Sequence, residues 1–187
     1  SMGIAQLQMG LYEGARQSFQ TAVESDEGSV EAQLGLIELN LADINISQAK
    51  TGLERLERVL PEGSKEQALW FLLLSKVQTF EKSYAKANDS AQRALNWFET
   101  NKQPKAMLAA ARQVAELMYV QSKSKDAAAY LEQWLQKGLK QLSATHTEIL
   151  GIRKDLIDIY NDFGAYPKAL EQGEKLLTDI KTVLGET

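Results

Sequence analysis

The sequence predicts an all-α fold of antiparallel helical hairpins, and three observations predict it. Apolar residues recur at three- and four-residue spacing rather than in strand-like alternation, as in Ala15, Phe19, Ala22 and Val23, in Leu53, Leu56, Val59 and Leu60, and in Leu131, Trp134, Leu135 and Leu139. The three prolines, Pro61, Pro104 and Pro167, fall between such segments or at their starts, where a missing N–H is tolerated. Glycine (12) and proline (3) are sparse among 187 residues, so little interrupts the helical pattern.

Ten helices account for the pattern, over roughly 2–10, 12–26, 29–42, 47–60, 64–81, 84–101, 104–121, 124–141, 146–163 and 166–184. The first is in register by Ile4. The second carries the Ala15–Phe19–Ala22 face, the third Leu36 with Gln33 and Asn40, and the fourth runs from Ala49 through Leu53 and Leu56 toward Pro61. The fifth holds the longest apolar run, Ala68 to Leu74, whose consecutive residues point around the helix. The sixth repeats alanine at 87, 91 and 94, and Pro104 opens the seventh. The eighth has the Leu131–Leu135–Leu139 stripe. In the ninth, Thr145 with Glu148 three residues on fits a capping box, and Pro167 stands in the first turn of the tenth. Connections of two to five residues force consecutive helices to pack antiparallel.

Every second helix carries a small residue near its start: Ala15, Ala49, Ala87, Ala127 and Ala169, at intervals of 34, 38, 40 and 42 residues. Alanine there lets two helix axes approach, and residues four and seven further on share its inner face: Phe19, Leu53, Ala91, Leu131 and Gly173, then Ala22, Leu56, Ala94, Trp134 and Leu176. Twelve residues before the anchors stand Gly3, Ser75 and Ala115. Gly35 lies fourteen before Ala49, which predicts a turn two residues longer around Asp43–Ser47, and the fifth unit has Ile157 in that place.

This spacing resembles the tetratricopeptide (TPR) repeat, a helix–turn–helix unit. Gly3, Leu7, Gly10, Tyr12, Ala15, Phe19 and Ala22 carry the resemblance in the first unit, and Gly164, Tyr166 and Ala169 in the last. The segment from Thr145–His146 through Tyr160 to the final Leu184-Gly185-Glu186-Thr187 is similar to the longer repeats of kinesin light chain type. The resemblance implies a right-handed α-solenoid of about five hairpins, residues 1–27, 28–62, 63–102, 103–143 and 144–187, within one domain. Each hairpin would gain its stability by stacking on its neighbours. Ser1 ahead of Met2, in a chain already in helical register at Ile4, suits a segment cut from a longer protein.

In family register the first helix of each pair lines a concave groove. Lys76, Arg112, Glu116, Tyr119, Lys154, Asp158 and Asn161 then face it, with Thr79, Gln33, Leu36 and Asn40 beside them. A polar, mixed-charge groove of this kind suits an extended peptide or a partner helix, with Arg112 and Tyr119 as anchors. Arg112–Glu116 and Lys154–Asp158 are also simple i,i+4 pairs of a solvated face. The expected function is a non-enzymatic protein-interaction scaffold, the sensing or tethering part of a larger, bacterial-type regulator. The alternative is self-association, in which Trp70, Phe71 or an uncapped terminal hairpin packs on another copy.

Composition excludes other chemistry. No cysteine rules out thiol catalysis, disulfides and thiolate metal sites, and one histidine rules out a multi-histidine site. No cofactor is expected, since there is neither a glycine-rich phosphate loop nor a nucleophile elbow. A net charge of −4 gives nucleic acid no electrostatic invitation, and no apolar run is long enough to span a bilayer. Asp155, Asp158 and Asp162 recur at helical spacing but read as a solvated acidic face, and His146 reads as a helix-start residue. Trp97, Phe98 and Trp134 are expected between repeats. Trp70 and Leu73 are expected either in the core or in a docking patch.

Overall fold

The structure, a computed structural model, describes residues 2–3, 6, 11–26 and 29–185. Among them nine helices form and no strand: α1 (Tyr12–Ser25), α2 (Val30–Ala42), α3 (Ile46–Glu57), α4 (Lys65–Phe80), α5 (Tyr84–Thr100), α6 (Pro104–Tyr119), α7 (Ser124–Leu139), α8 (Thr147–Asp162) and α9 (Tyr166–Leu184). Met2, Gly3 and Gln6 are helical as well; Leu7, Gly10 and most of the helix expected over 2–10 lie outside the described residues. The largest difference in boundary is at α3, which stops at Glu57 rather than Leu60. Pro61 disfavours helical geometry in the residue before it, the Val59 and Leu60 amides both fold back to the Leu56 carbonyl, and Val59 turns outward.

The turns inside the hairpins share one backbone device. Ile44, Lys82, Ser122 and Gly164 adopt left-handed φ values of 60°, 57°, 62° and 77°. The next residue's N–H then reaches back to a carbonyl of the preceding helix: Asn45 to Asn40 (2.7 Å), Ser83 to Gln78 (2.8 Å), Lys123 to Met118 (3.0 Å) and Ala165 to Tyr160 (2.8 Å). This is the Schellman stop, which satisfies carbonyls the helix leaves unpaired. The turn at Asp43–Asn45 is therefore no longer than the others, contrary to the expectation drawn from Gly35. Ile37 occupies the place twelve before Ala49 and packs against Gly52, while Gly35 faces Phe19 of the preceding hairpin.

The chain divides into two compact units, 1–97 and 98–187. In the first, the Phe19 ring packs against both Gly3 and Gly35, with Ala15, Ala32 and Leu39 around it. A second cluster joins α2, α3 and α4 through Leu34, Ile37, Leu53, Leu56, Trp70 and Leu73. In the second unit α6, α7 and α8 bury Leu108, Val114, Leu131, Ile149, Ile152 and Leu156. Close approach rests on small residues, as expected: Ala15, Ala49, Ala87 and Ala127 are fully buried, and Ser75 Oγ donates to the Ala87 carbonyl at 2.8 Å. The positions seven further on are less uniform, since Leu56 and Ala94 are buried but Ala22 and Trp134 are half-buried.

Side chains cap the starts of α4 and α8, whereas Ser29 and Asn45 make no such bond at the starts of α2 and α3. Ser64 Oγ accepts the Gln67 N–H at 3.0 Å while Gln67 Oε1 accepts the Gly63 N–H at 2.8 Å, a reciprocal cap. At α8 the cap is His146, whose Nδ1 accepts the Glu148 N–H at 3.2 Å, and not Thr145. The expected Thr145–Glu148 box does not form: the Thr145 hydroxyl pairs with Ser143 and the Glu148 carboxylate with Arg112.

Candidate functional site

Six of the seven expected groove residues lie on α6 and α8 of the second unit. Lys76 lies on α4 of the first, where it is half-buried. Arg112, Glu116 and Tyr119 follow one another at four and three residues along α6, as Lys154, Asp158 and Asn161 do along α8, so each set shares a helix face.

Arg112 joins the two helices. Its Nε and Nη2 meet the two oxygens of Asp155 at 2.7 and 3.2 Å, a fork-on-carboxylate pair, and Nη1 reaches Glu148 at 3.3 Å. Burial, the largest single influence, works against the guanidinium's charge, yet the bonds and charges of Asp155 and Glu148 outweigh it and raise its pKa. Gly151 lies between Glu148 and Asp155 on α8, and a Cβ there would come within 2.5 Å of the guanidinium. Glycine thus provides the notch in which the arginine lies. Arg112 is a bracket between helices before it is an anchor for anything else.

Outside that bracket the face is open. Glu116, Lys154, Asp158 and Asn161 are exposed, and Tyr119 is 37% exposed. Lys154 pairs with Asp158 at 3.0 Å, which raises the lysine's pKa through that bond and its charge. Both partners are largely solvated, so the pair contributes under about 1 kcal/mol. Asp155, Asp158 and Asp162 have separate partners, Arg112, Lys154 and the Ser124 hydroxyl, and no group of three or more His, Cys, Asp or Glu that could hold a metal occurs among the described residues.

The apolar run on α4 resolves into two parts. Trp70 and Leu73 belong to the core, and the Trp70 indole donates to the Leu53 carbonyl at 2.9 Å. Phe71 and Leu74 are half-buried, and the Arg93 guanidinium lies 4.1 Å from the Phe71 ring centre. They floor a cleft of about 620 Å³ whose rim carries Glu57, Lys86, Asp89 and Arg93. Of the other aromatics, Phe98 is buried, Trp97 donates to the Gly63 carbonyl at 2.7 Å, and Trp134 packs beside Tyr130 with Lys137 over its ring.

Two buried polar joints went unread in the sequence. Arg153 is 6% exposed and reaches Gln172 at 3.0 Å and Asp179 at 3.1 Å on α9. Its spacing from Ile149 and Leu156 already put it on the buried face, a signal masked by the solvated Lys154 beside it. The buried Tyr160 donates its hydroxyl to Glu132, and Lys168 reaches the same carboxylate oxygen at 3.1 Å. The tyrosine bond, then the lysine, hold the Glu132 pKa below the ordinary carboxylate range. Burial first, and then Glu132, push the Tyr160 hydroxyl up.

No family model and no curated protein matches the chain. Solved structures do match it. TTC0263, a thermophilic TPR protein of Thermus thermophilus, is 18% identical over 99% of this chain and 91% of its own, at a TM-score of 0.75. The putative kinesin light chain TPR-like repeats of Podosopora anserina align over 98% and 93% of the two chains at 15% identity and a TM-score of 0.65. A Rap protein complexed with Competence and Sporulation Factor aligns over 95% of this chain and 52% of its own at 15% identity and a TM-score of 0.76. The likeness is one of fold, and the fold is an all-α, TPR-like helical-repeat solenoid.

Proposed function

We propose that the chain is a non-enzymatic protein-interaction module, and that its second unit receives a partner protein or peptide on the exposed face of α6 and α8. The observation that carries this reading is the Arg112 bracket. It ties α6 to α8, the helices on which Glu116 and Tyr119, and Lys154, Asp158 and Asn161, stand exposed. A preformed surface lowers the ordering cost of binding, and Tyr119 is the kind of amphipathic anchor on which such interfaces concentrate their energy. The Rap structure, solved with Competence and Sporulation Factor, supports the reading by being a fold of this type with a bound factor. Among the described residues no helix is long and apolar enough to cross a membrane.

The test is quantitative capture. The 187-residue chain and a Tyr119→Ala/Asn161→Ala variant are immobilised at equal density, and the recovered proteins are compared by mass spectrometry. Both positions are exposed, so helicity and melting should match the wild type. At least one protein should be recovered roughly tenfold less by the variant, a difference of about 1.4 kcal/mol. Identical recovery by both would refute the α6–α8 face as the binding surface.

A further inference from the structure

We propose that α9 pairs antiparallel with α9 of a second copy of the chain. Inward, the helix turns Ala169 and Gln172 onto α8 and gives Asp179 to Arg153. Outward, Tyr166, Leu170, Gly173, Leu177, Ile180 and Leu184 recur at alternating spacings of four and three residues, the seam of a coiled coil. Tyr166, Leu170, Leu177 and Leu184 are each more than half exposed, Ile180 is 38% exposed, and a Cβ at Gly173 would meet nothing within 4 Å.

The chain itself shows what this face does elsewhere. Counted from Ala127 as the stripe is counted from Ala169, the matching residues of α7 are Ala128, Leu131, Leu135 and Gly138, and all four are buried. Gly138 is overlain by Leu108 of α6 and by Ile149 of α8, so at this point the face of α7 meets both its own hairpin partner and the following hairpin. The sizes on α9 differ. Leu170 and Ile180 stand where α7 has the small residues Ala128 and Gly138, and Gly173 stands where α7 has Leu131. A hairpin seated as α8 is on α7 would bring its counterpart of Ile149 onto the Ile180 side chain.

A second α9 fits that altered relief. Run antiparallel about a twofold near Lys175, Leu170 meets Ile180 of the second copy, Tyr166 meets its Leu184, and Leu177 enters the notch at its Gly173. Symmetry repeats each contact, as an isologous interface requires. The stripe is about 27 Å long and about 10 Å wide, a footprint of about 270 Å² per helix, which puts the pair below the roughly 1,000 Å² that a stable interface clears and among weak, transient contacts. Glu174 comes near its own symmetry mate, a repulsion that Lys181 of the facing helix offsets only in part. The result is a transient dimer with a Kd on the order of 10 µM. It uses no residue of the α6–α8 face.

Sedimentation equilibrium of the 187-residue chain from about 1 to about 300 µM should show the mean mass rising from monomer toward dimer. Leu177→Lys, at an exposed position, should leave the helical circular dichroism unchanged and weaken association at least roughly tenfold. Register is read by oxidation, since the chain has no cysteine of its own. An equimolar mixture of Leu170→Cys and Ile180→Cys chains should form mixed disulfide dimers several-fold faster than either variant alone links to itself. A monomer at every concentration, undiminished association of Leu177→Lys, or self-linking of Leu170→Cys as fast as the mixture would each overturn the proposal.

Discussion

Phe19 explains why glycine stands at two separate places. A Cβ at Gly35 would come within 2.4 Å of the ring and one at Gly3 within 2.6 Å, and the ring is 1% exposed with nowhere to move. Gly35→Ala should therefore destabilise by about 1–3 kcal/mol through overpacking, despite alanine's better helix propensity. Urea unfolding with an unchanged slope would verify it. Ile44 is the opposite case. A β-branched residue is strained at φ 60°, and the equivalent turn position 164 already has glycine. Ile44→Gly should raise stability by about 1 kcal/mol, because the relief of the left-handed backbone exceeds glycine's entropy cost. Ile44 is 69% exposed, so little packing is lost. A rise in melting midpoint measures it.

Helix-to-helix joints in the second unit lend themselves to pH. Glu132 is held below its ordinary pKa by Tyr160 and Lys168, so its contribution is present above the ordinary carboxylate range and lost as pH falls through the lowered value. Stability of the wild type should thus fall more steeply below about pH 4.5 than that of Glu132→Gln, as read by thermal melts from about pH 6 to about pH 3. Arg153 tests the other joint. Arg153→Ala should cost about 3–5 kcal/mol by stranding Asp179, whereas Arg153→Met should cost far less. The two variants' difference in urea midpoint reports it. At this scale the sequence was readable where the signal is local. Apolar spacing and the positions of Pro104 and Pro167 marked the helices because both depend on neighbours a few residues away. The ion pairs did not show. Arg112 meets partners 36 and 43 residues on, and which carboxylates face it depends on how α6 and α8 are rotated, a matter decided by Gly151.

Across the molecule the drift of the repeat from 34 to 42 residues has a visible location. Turns within the hairpins hold three or four residues, 43–45, 81–83, 120–123 and 163–165, while the links between hairpins run over 58–64, 101–103 and 140–146. Alanine anchors gave the period because each is a close approach of two helices. They did not give the turn chemistry, since Ile44, Lys82, Ser122 and Gly164 share a backbone state but no side-chain feature. The extra residues expected at Asp43–Ser47 are absent because Gly35 serves the Phe19 contact, while Ile37 takes the place twelve before Ala49. The candidate surface was only partly legible: the faces of α6 and α8 followed from helical periodicity, but the division between bracket and open rows needed coordinates.

The constant turn and the variable link give the chain two grades of tolerance to splicing. A short flexible peptide grafted between Leu142 and Ser143 lengthens a connection that already varies, and each doubling of such a loop costs only about 0.6 kcal/mol. The same peptide between Lys82 and Ser83 severs the Ser83-to-Gln78 bond that stops α4 and should depress the melting midpoint by several degrees. Fluorophores and affinity handles therefore belong at the former junction, where the host stays intact while its encounters are watched.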